Sequence, residues 1–293
     1  MPGSGINRYY FSMVFQEGNI MKKDLYVITG CDSGIGRRCV ELLLQKGKNL
    51  AISYLAENPF KEHPLCRAFK IDMMKEGDIE KFAAGIKKLC EKEFYLRCLF
   101  CNAGVALGGP VENVPLATFR RVFEINYFSY VSLIQKLIPL LRESKGTIMM
   151  NGSLAGRIAL PFLAPYASSK FALEGFADSL RRELNPFGIK TVLIEPAAVA
   201  TPIWEKARKI DGSFIDRVYL ESVNLFLENF VDSGSRGMPV DKAAAEIVRI
   251  MDSKSPKARY IISGTPFNSF LQTVLPYRIV DRLVKKFFRM NYS

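Results

Sequence analysis

From residue 25 to residue 262 the chain repeats one pattern: a short run apolar at nearly every position, a turn, then a longer stretch with apolar residues at helical spacing. A strand that is apolar on both faces has to be covered on both, and helices with one apolar stripe can do it. Alternated along a chain, the two specify a parallel sheet with helices on either side. Strands are expected at 25–29, 50–55, 68–71, 96–101, 146–150, 189–194 and 259–262, and helices at 35–45, 77–90, 116–141, 166–184 and 242–251. The predicted fold class is α/β, a single doubly wound domain on a central parallel sheet of about seven strands. Ligands of such folds sit at the carboxyl ends of the strands.

Residues 21–264 form this domain, after an irregular extension at 1–20 and before an amphipathic basic tail at 265–293. Residues 201–239 break the alternation and are long enough to cap a site. Nothing in 1–20 is needed by the fold, so Met21 is an alternative start. Those residues lack a charged start followed by an apolar core, and no secretory signal is read there.

Composition removes several chemistries. A lone histidine, His63, cannot make a histidine-rich metal site and leaves a Ser-His-Asp triad one candidate base. Six scattered cysteines in 293 residues read as core hydrophobes in a reducing compartment, so the cytoplasm is expected. Cys98 and Cys101 have redox-motif spacing, but on a strand they point to opposite faces. A net charge of +12 suggests an anionic partner without naming it.

The first strand runs into Thr29-Gly30-Cys31-Asp32-Ser33-Gly34-Ile35-Gly36 and then a helix. Gly30 permits the tight turn, Gly34 lets the backbone approach a pyrophosphate, and Gly36 allows the helix to lie close to the sheet. The helix start presents unpaired N–H groups to that phosphate. Asn102-Ala103-Gly104 follows the fourth strand, Ser153 the fifth, and Tyr166-Ala-Ser-Ser-Lys170 begins thirteen residues after Ser153. Together, in this order, the motifs resemble the short-chain dehydrogenase/reductase family over about residues 22–262. The motif form is nearest the retinol, hydroxysteroid and 3-hydroxybutyrate dehydrogenase group.

The resemblance implies a Rossmann-type domain and NAD(P)-dependent oxidation of alcohols or reduction of carbonyls. Tyr166 and Lys170, at i and i+4, share one helix face. An ammonium beside a phenol favours phenolate, so Tyr166 can exchange a proton with the substrate oxygen, which Ser153 would hydrogen-bond. Asn126 is the fourth member implied, supporting a water that links Lys170 to solvent. Asp72 would bind the adenine amino group, and Asn102 would steady the central strands. Pro196-Ala-Ala-Val199-Ala-Thr201 would hold the carboxamide, with Ala197 standing where the family has glycine.

The end of the second strand usually separates NAD from NADP. Here it is Tyr54, flanked by Ser53 and Leu55, which is neither the acid nor the arginine signal. Asp32 is expected near the ribose, where it would repel a 2′-phosphate. Arg37 and Arg38 pull the other way but are expected to face solvent. NAD is therefore expected, with NADP open. Phe162, Leu163, Ile203, Trp204, Phe214, Leu225, Phe226 and Phe230 are candidates for an apolar cleft, suiting a retinoid-, steroid- or fatty-type alcohol or carbonyl. For any one of them taken singly, ordinary core and cap packing is the default.

The family implies a homodimer or homotetramer. The tail, with net +4 between 273 and 289, fits either a helix on an anionic membrane or one packed on the domain or a subunit interface with a solvated basic face. No nucleic acid is expected, because the basic residues form no recognisable module. The rival class, a non-catalytic dinucleotide sensor or nucleic-acid-binding protein on this fold, has no need of a matched acid and base.

Overall fold

The computed structural model describes residues 22–61, 63–208, 212–265, 269 and 274–290, without the side chains of 212, 230 and 233. The extension at 1–20 and the Phe230 side chain thus lie outside the described residues. All seven expected strands form: β1 (Lys23–Ile28), β2 (Asn49–Tyr54), β3 (Cys66–Lys70), β4 (Phe94–Cys101), β5 (Thr147–Asn151), β6 (Lys190–Pro196) and, later in the chain, β9 (Arg259–Ile262). They pair in parallel in the order β3-β2-β1-β4-β5-β6-β9. Order reverses beside β1, whose neighbours are β2 and β4, so the ends of β1 and β4 open a crevice.

The helices on the sheet are α1 (Gly34–Gln45), α2 (Glu76–Lys92), α3 (Leu116–Phe123), α4 (Ser129–Ser144), α5 (Ala164–Leu184) and α9 (Val240–Met251). Successive strand residues feed opposite cores. Leu25, Val27, Leu99 and Cys101 pack with α2, α4 and α5, whereas Tyr26, Ile28, Cys98 and Phe100 pack with α1 and α9. The two thiols of the Cys98–Cys101 pair are thus separated by the sheet.

Two departures from the expected pattern matter for the site. The helix expected at 116–141 is two α segments, α3 and α4, joined by a π-helical turn over Glu124–Phe128. The extra residue in that turn carries Asn126, poor in a regular helix, to a wholly buried position. The segment after β6 holds a two-residue strand β7 (Val199–Ala200), short helices α6 (Ile203–Arg208), α7 (Leu220–Phe226) and α8 (Asp232–Ser235), and β8 (Met238–Pro239) pairing with β7. A two-residue pairing leaves no periodicity to read. Phe162, Leu163, Val223, Phe226, Val231 and Phe288 form a third, smaller core under this segment. Phe288 follows the tail helix α10 (Tyr277–Phe287).

Candidate active site

The turn after β1 is fixed by contacts that only glycine permits. Gly30 has φ +69°, and a Cβ there would stand 2.6 Å from the Ala103 backbone. At Gly36 a Cβ would overlap the Gly30 carbonyl and the Asn102 amide, so α1 starts directly against the strand ends. Gly34, at φ +60°, lies against the Thr201 side chain. Ser33 caps α1 without a side-chain hydrogen bond, leaving the first N–H groups of the helix unclaimed by it.

Asn102 joins three strands. Its amide donates to the carbonyls of Thr29 and Gly30 at 2.9 and 3.1 Å, and its Oδ1 accepts from Asn151 at 3.0 Å. The Thr29 hydroxyl accepts the backbone N–H groups of Asn102 and Ala103. Thr29 and Asn151 are missed by sequence reasoning, because a side chain that bonds across strands leaves no local pattern.

Tyr166 and Lys170 lie on the first two turns of α5. Lys170 is buried, donates from Nζ to the Asn151 carbonyl at 2.6 Å, and stands 5.6 Å from the Tyr166 ring centre. Loss of solvent pulls its pKa down to about 7. Burial pushes the Tyr166 phenol above its ordinary value, and a hydrogen bond with Ser153 partly opposes this. In the protein alone burial outweighs the expected help from the ammonium, so both groups favour their neutral forms. Ser153 is buried at the end of β5, and its hydroxyl accepts the Ala155 N–H at 3.1 Å.

Behind Lys170, Asn126 is fully bonded. Its amide donates to the Val105 carbonyl and the Ser169 hydroxyl, each at 3.0 Å, while its Oδ1 accepts the Val105 N–H at 2.9 Å. It therefore fixes the loop after β4 to α5, with Ser169 as a partner that sequence reasoning missed.

A cavity of about 540 Å³ opens at the strand ends. Its wall includes Ile35, Asn102, Gly104, Ser153, Tyr166, Lys170, Pro196, Val199 and Thr201. Gly30, Gly36 and Ala103 are not in the wall but pack on one another and on Asn102, which is. Asp32, Tyr54 and Asp72 stand outside the wall, at the ends of β1, β2 and β3. Asp32 accepts the backbone N–H groups of Leu55 and Ala56 at 2.8–3.0 Å, so its carboxylate ties down the loop after β2. Asp72 accepts the Met74 N–H at 3.0 Å. Arg37 pairs with Glu41, and Arg38 with Glu41 and Asp241 of α9, so Arg38 bridges two helices instead of facing open solvent. Ala197 has no positive φ, and alanine therefore fits where the family has glycine.

The apolar candidates divide. Leu163, Ile203, Trp204 and Phe226 line the cavity, as do Leu160 and Val231, which were not foreseen. Phe162 is buried behind the wall at φ +64°, and Phe214 packs toward Gly109. Leu225 is not in the wall. No group of three or more potential metal ligands occurs among the described residues.

A sequence profile of short chain dehydrogenases matches residues 24–211. The chain is 36% identical over 277 residues to an NADPH-dependent 3-dehydrocapnine reductase of Ornithobacterium rhinotracheale, covering 89% of this chain and 95% of that one. It is 28% identical over 261 residues to the mitochondrial D-beta-hydroxybutyrate dehydrogenase of Bos taurus, covering 80% and 75%. A crystal structure of a short-chain dehydrogenase from Streptomyces avermitilis superposes with a TM-score of 0.73 at 21% identity, covering 92% and 100%. These relatives do not converge on one subgroup, but the profile spans the turn after β1, α5 and the cavity wall from Ile35 to Ala207. The chain belongs to the short-chain dehydrogenase family and is, at that level, an NAD(P)-dependent oxidoreductase.

Proposed function

We propose that the protein transfers a hydride between a nicotinamide cofactor and an apolar alcohol or carbonyl compound, with Tyr166 as the general acid/base. The observation that carries this reading is the meeting of Ser153, Tyr166 and Lys170 in one cavity whose wall also carries Leu160, Leu163, Ile203, Trp204 and Phe226. The cavity has the size of a small-molecule site, lined by apolar side chains with a few polar groups among them.

The residues present fit a dinucleotide. The Gly30–Gly36 cradle leaves no room for a Cβ at Gly30 or Gly36, and the uncapped start of α1 suits a pyrophosphate. Gly30, Asp32, Ser33, Gly34, Ile35 and Gly36 would hold that end, with Tyr54 and Asp72 beside the adenosine. Asn102, Ala103, Gly104, Pro196, Val199 and Thr201 would lie along the remainder. Bound there, the nicotinamide supplies or accepts the hydride. NAD is the preferred cofactor in this reading, because both nearby arginines are engaged by acids. The NADPH named for the Ornithobacterium relative makes the comparison of both cofactors part of the test.

The protein's own part is proton management. Ser153 hydrogen-bonds the substrate oxygen and orients it toward Tyr166. Tyr166, held as a neutral phenol, gives its proton to that oxygen as it gains charge, which suits carbonyl reduction. Lys170, anchored on the Asn151 carbonyl, steadies the phenolate left behind. Leu160, Leu163, Ile203, Trp204 and Phe226 exclude water and favour a fatty or ring-type substrate. The segment 201–239 is then the substrate cap, and a homodimer or homotetramer the assembly.

The test follows cofactor absorbance at 340 nm against a panel of apolar alcohols and ketones with each nicotinamide. Tyr166→Phe is expected to lower turnover by about 10²–10⁴ while still binding cofactor. Undiminished turnover in that variant sinks the assignment. No turnover on the panel, with salt-sensitive binding to random duplex DNA, would favour the non-catalytic alternative.

A further inference from the structure

The tail helix α10 has two apolar faces, and the domain uses one. Val284 and the following Phe288 and Met290 pack on the third core, with the Phe288 ring 5.8 Å from that of Phe226. Running away from this docked face, Ile279, Leu283 and Phe287 recur at i, i+4 and i+8 and are 43, 55 and 57% exposed. Away from the docked face and exposed are Arg278, Arg282, Lys285 and Lys286, none of which meets an acidic side chain among the described residues. Arg289 reaches Glu221 across the surface. Asp281 is the single acid in the helix.

We infer that α10 docks the protein on an anionic lipid bilayer, with Ile279, Leu283 and Phe287 entering its apolar edge while Arg278, Arg282, Lys285 and Lys286 meet lipid phosphates. A helix with a bare apolar stripe beside a strongly basic face suits the boundary between headgroups and acyl chains. A second copy of the chain fits less well, because a two-fold contact would set one basic face against another. A nucleic acid would match the cations but leave the apolar stripe in water.

The position gives the contact a use. Phe226 lines the cavity and touches Phe288, so the membrane-facing helix backs directly onto the cavity wall. Delivery of a lipid-dissolved substrate by this route rests on the oxidoreductase reading; the docking does not.

The test is flotation of the full chain with phosphatidylcholine vesicles containing about a third phosphatidylglycerol, against pure phosphatidylcholine, read without any turnover. We expect preferential binding to the anionic vesicles, weakened about tenfold by 0.5 M salt. The triple variant Ile279→Ser, Leu283→Ser, Phe287→Ser should lose binding about tenfold or more at unchanged melting temperature and charge. Equal partition into both vesicle types, or a triple variant that floats like the wild type, overturns the inference. So does a dimer seen by light scattering that the triple variant abolishes with no vesicle binding, since the face would then join two copies. A protein that floats but turns over nothing on the panel leaves the docking standing and removes the proposed apolar alcohol or carbonyl substrate.

Discussion

Lys170 and Tyr166 occupy a place where neither charge is welcome, and each is shifted toward its neutral form. For Lys170 the sign can be worked through. Its pKa falls from an ordinary 10.5 to about 7 on folding, so between those values the unfolded chain holds a proton that the folded one has released. Stability attributable to this residue therefore rises with pH from about 7 toward 10, and the full burial penalty applies below 7. Lys170→Met removes the titration. Urea midpoints of the cofactor-free protein from pH 6.5 to 9.5 should show wild-type stability climbing relative to the variant as pH rises. A constant difference would mean the ammonium is solvated in a way its burial does not suggest. The same variant should lose turnover, because the phenolate of Tyr166 would have no cation beside it. Of the residues around this pair, Ser153, Tyr166 and Lys170 were legible in sequence as motif positions. Asn151 and Ser169 were not, since their contributions are a carbonyl and a hydroxyl bonded to partners far along the chain.

Strands read as apolar runs because both faces of the sheet are covered, and each of their ends lies within two residues of the expected one. The π-helical turn at Glu124–Phe128 was not legible: an inserted residue preserves the apolar spacing on either side and shifts only its phase. The apolar cavity wall was half legible. Leu163, Ile203, Trp204 and Phe226 turn inward, but which face of a short helix does so depends on packing that local spacing does not record. Between elements, the loop after β4 and the loop before α5 are locked by a close approach. Gly109 donates its N–H to the Phe162 carbonyl at 2.8 Å, and a Cβ on Gly108 would overlap that same oxygen. Gly108 does not have positive φ, so the constraint is space, not backbone conformation. Gly108→Ala should part the loops and destabilise the protein by about 1–3 kcal/mol, measured by urea unfolding. Because Gly108 and Leu163 both line the cavity, KM for an apolar substrate should rise more than kcat falls.

Across the whole molecule, charge and apolar surface are distributed unevenly. Several acids are committed to internal pairs: wholly buried Glu195 meets both Arg157 and Arg259, and Arg259 also holds Glu174 and Asp178. Arg278, Arg282, Lys285 and Lys286 of α10 meet no acid among the described residues, which is why the excess of +12 bears on docking more than on the chemistry at Tyr166. The six cysteines carry a different whole-molecule property. They are divided between the two cores on either face of the sheet, all buried, with burial raising every thiol: Cys66 and Cys90 to about 11, Cys98 to about 12, the others too. A thiol that is both enclosed and protonated does not meet an alkylating reagent. Folded protein should therefore resist iodoacetamide at pH 8, whereas opening either core releases its own set of sulfurs. Mass spectrometry of alkylated peptides over time would then give two independent clocks, one per layer. Equal rates for Cys98 and Cys101 would report that the layers open together, and unequal rates would name the layer that lets go first.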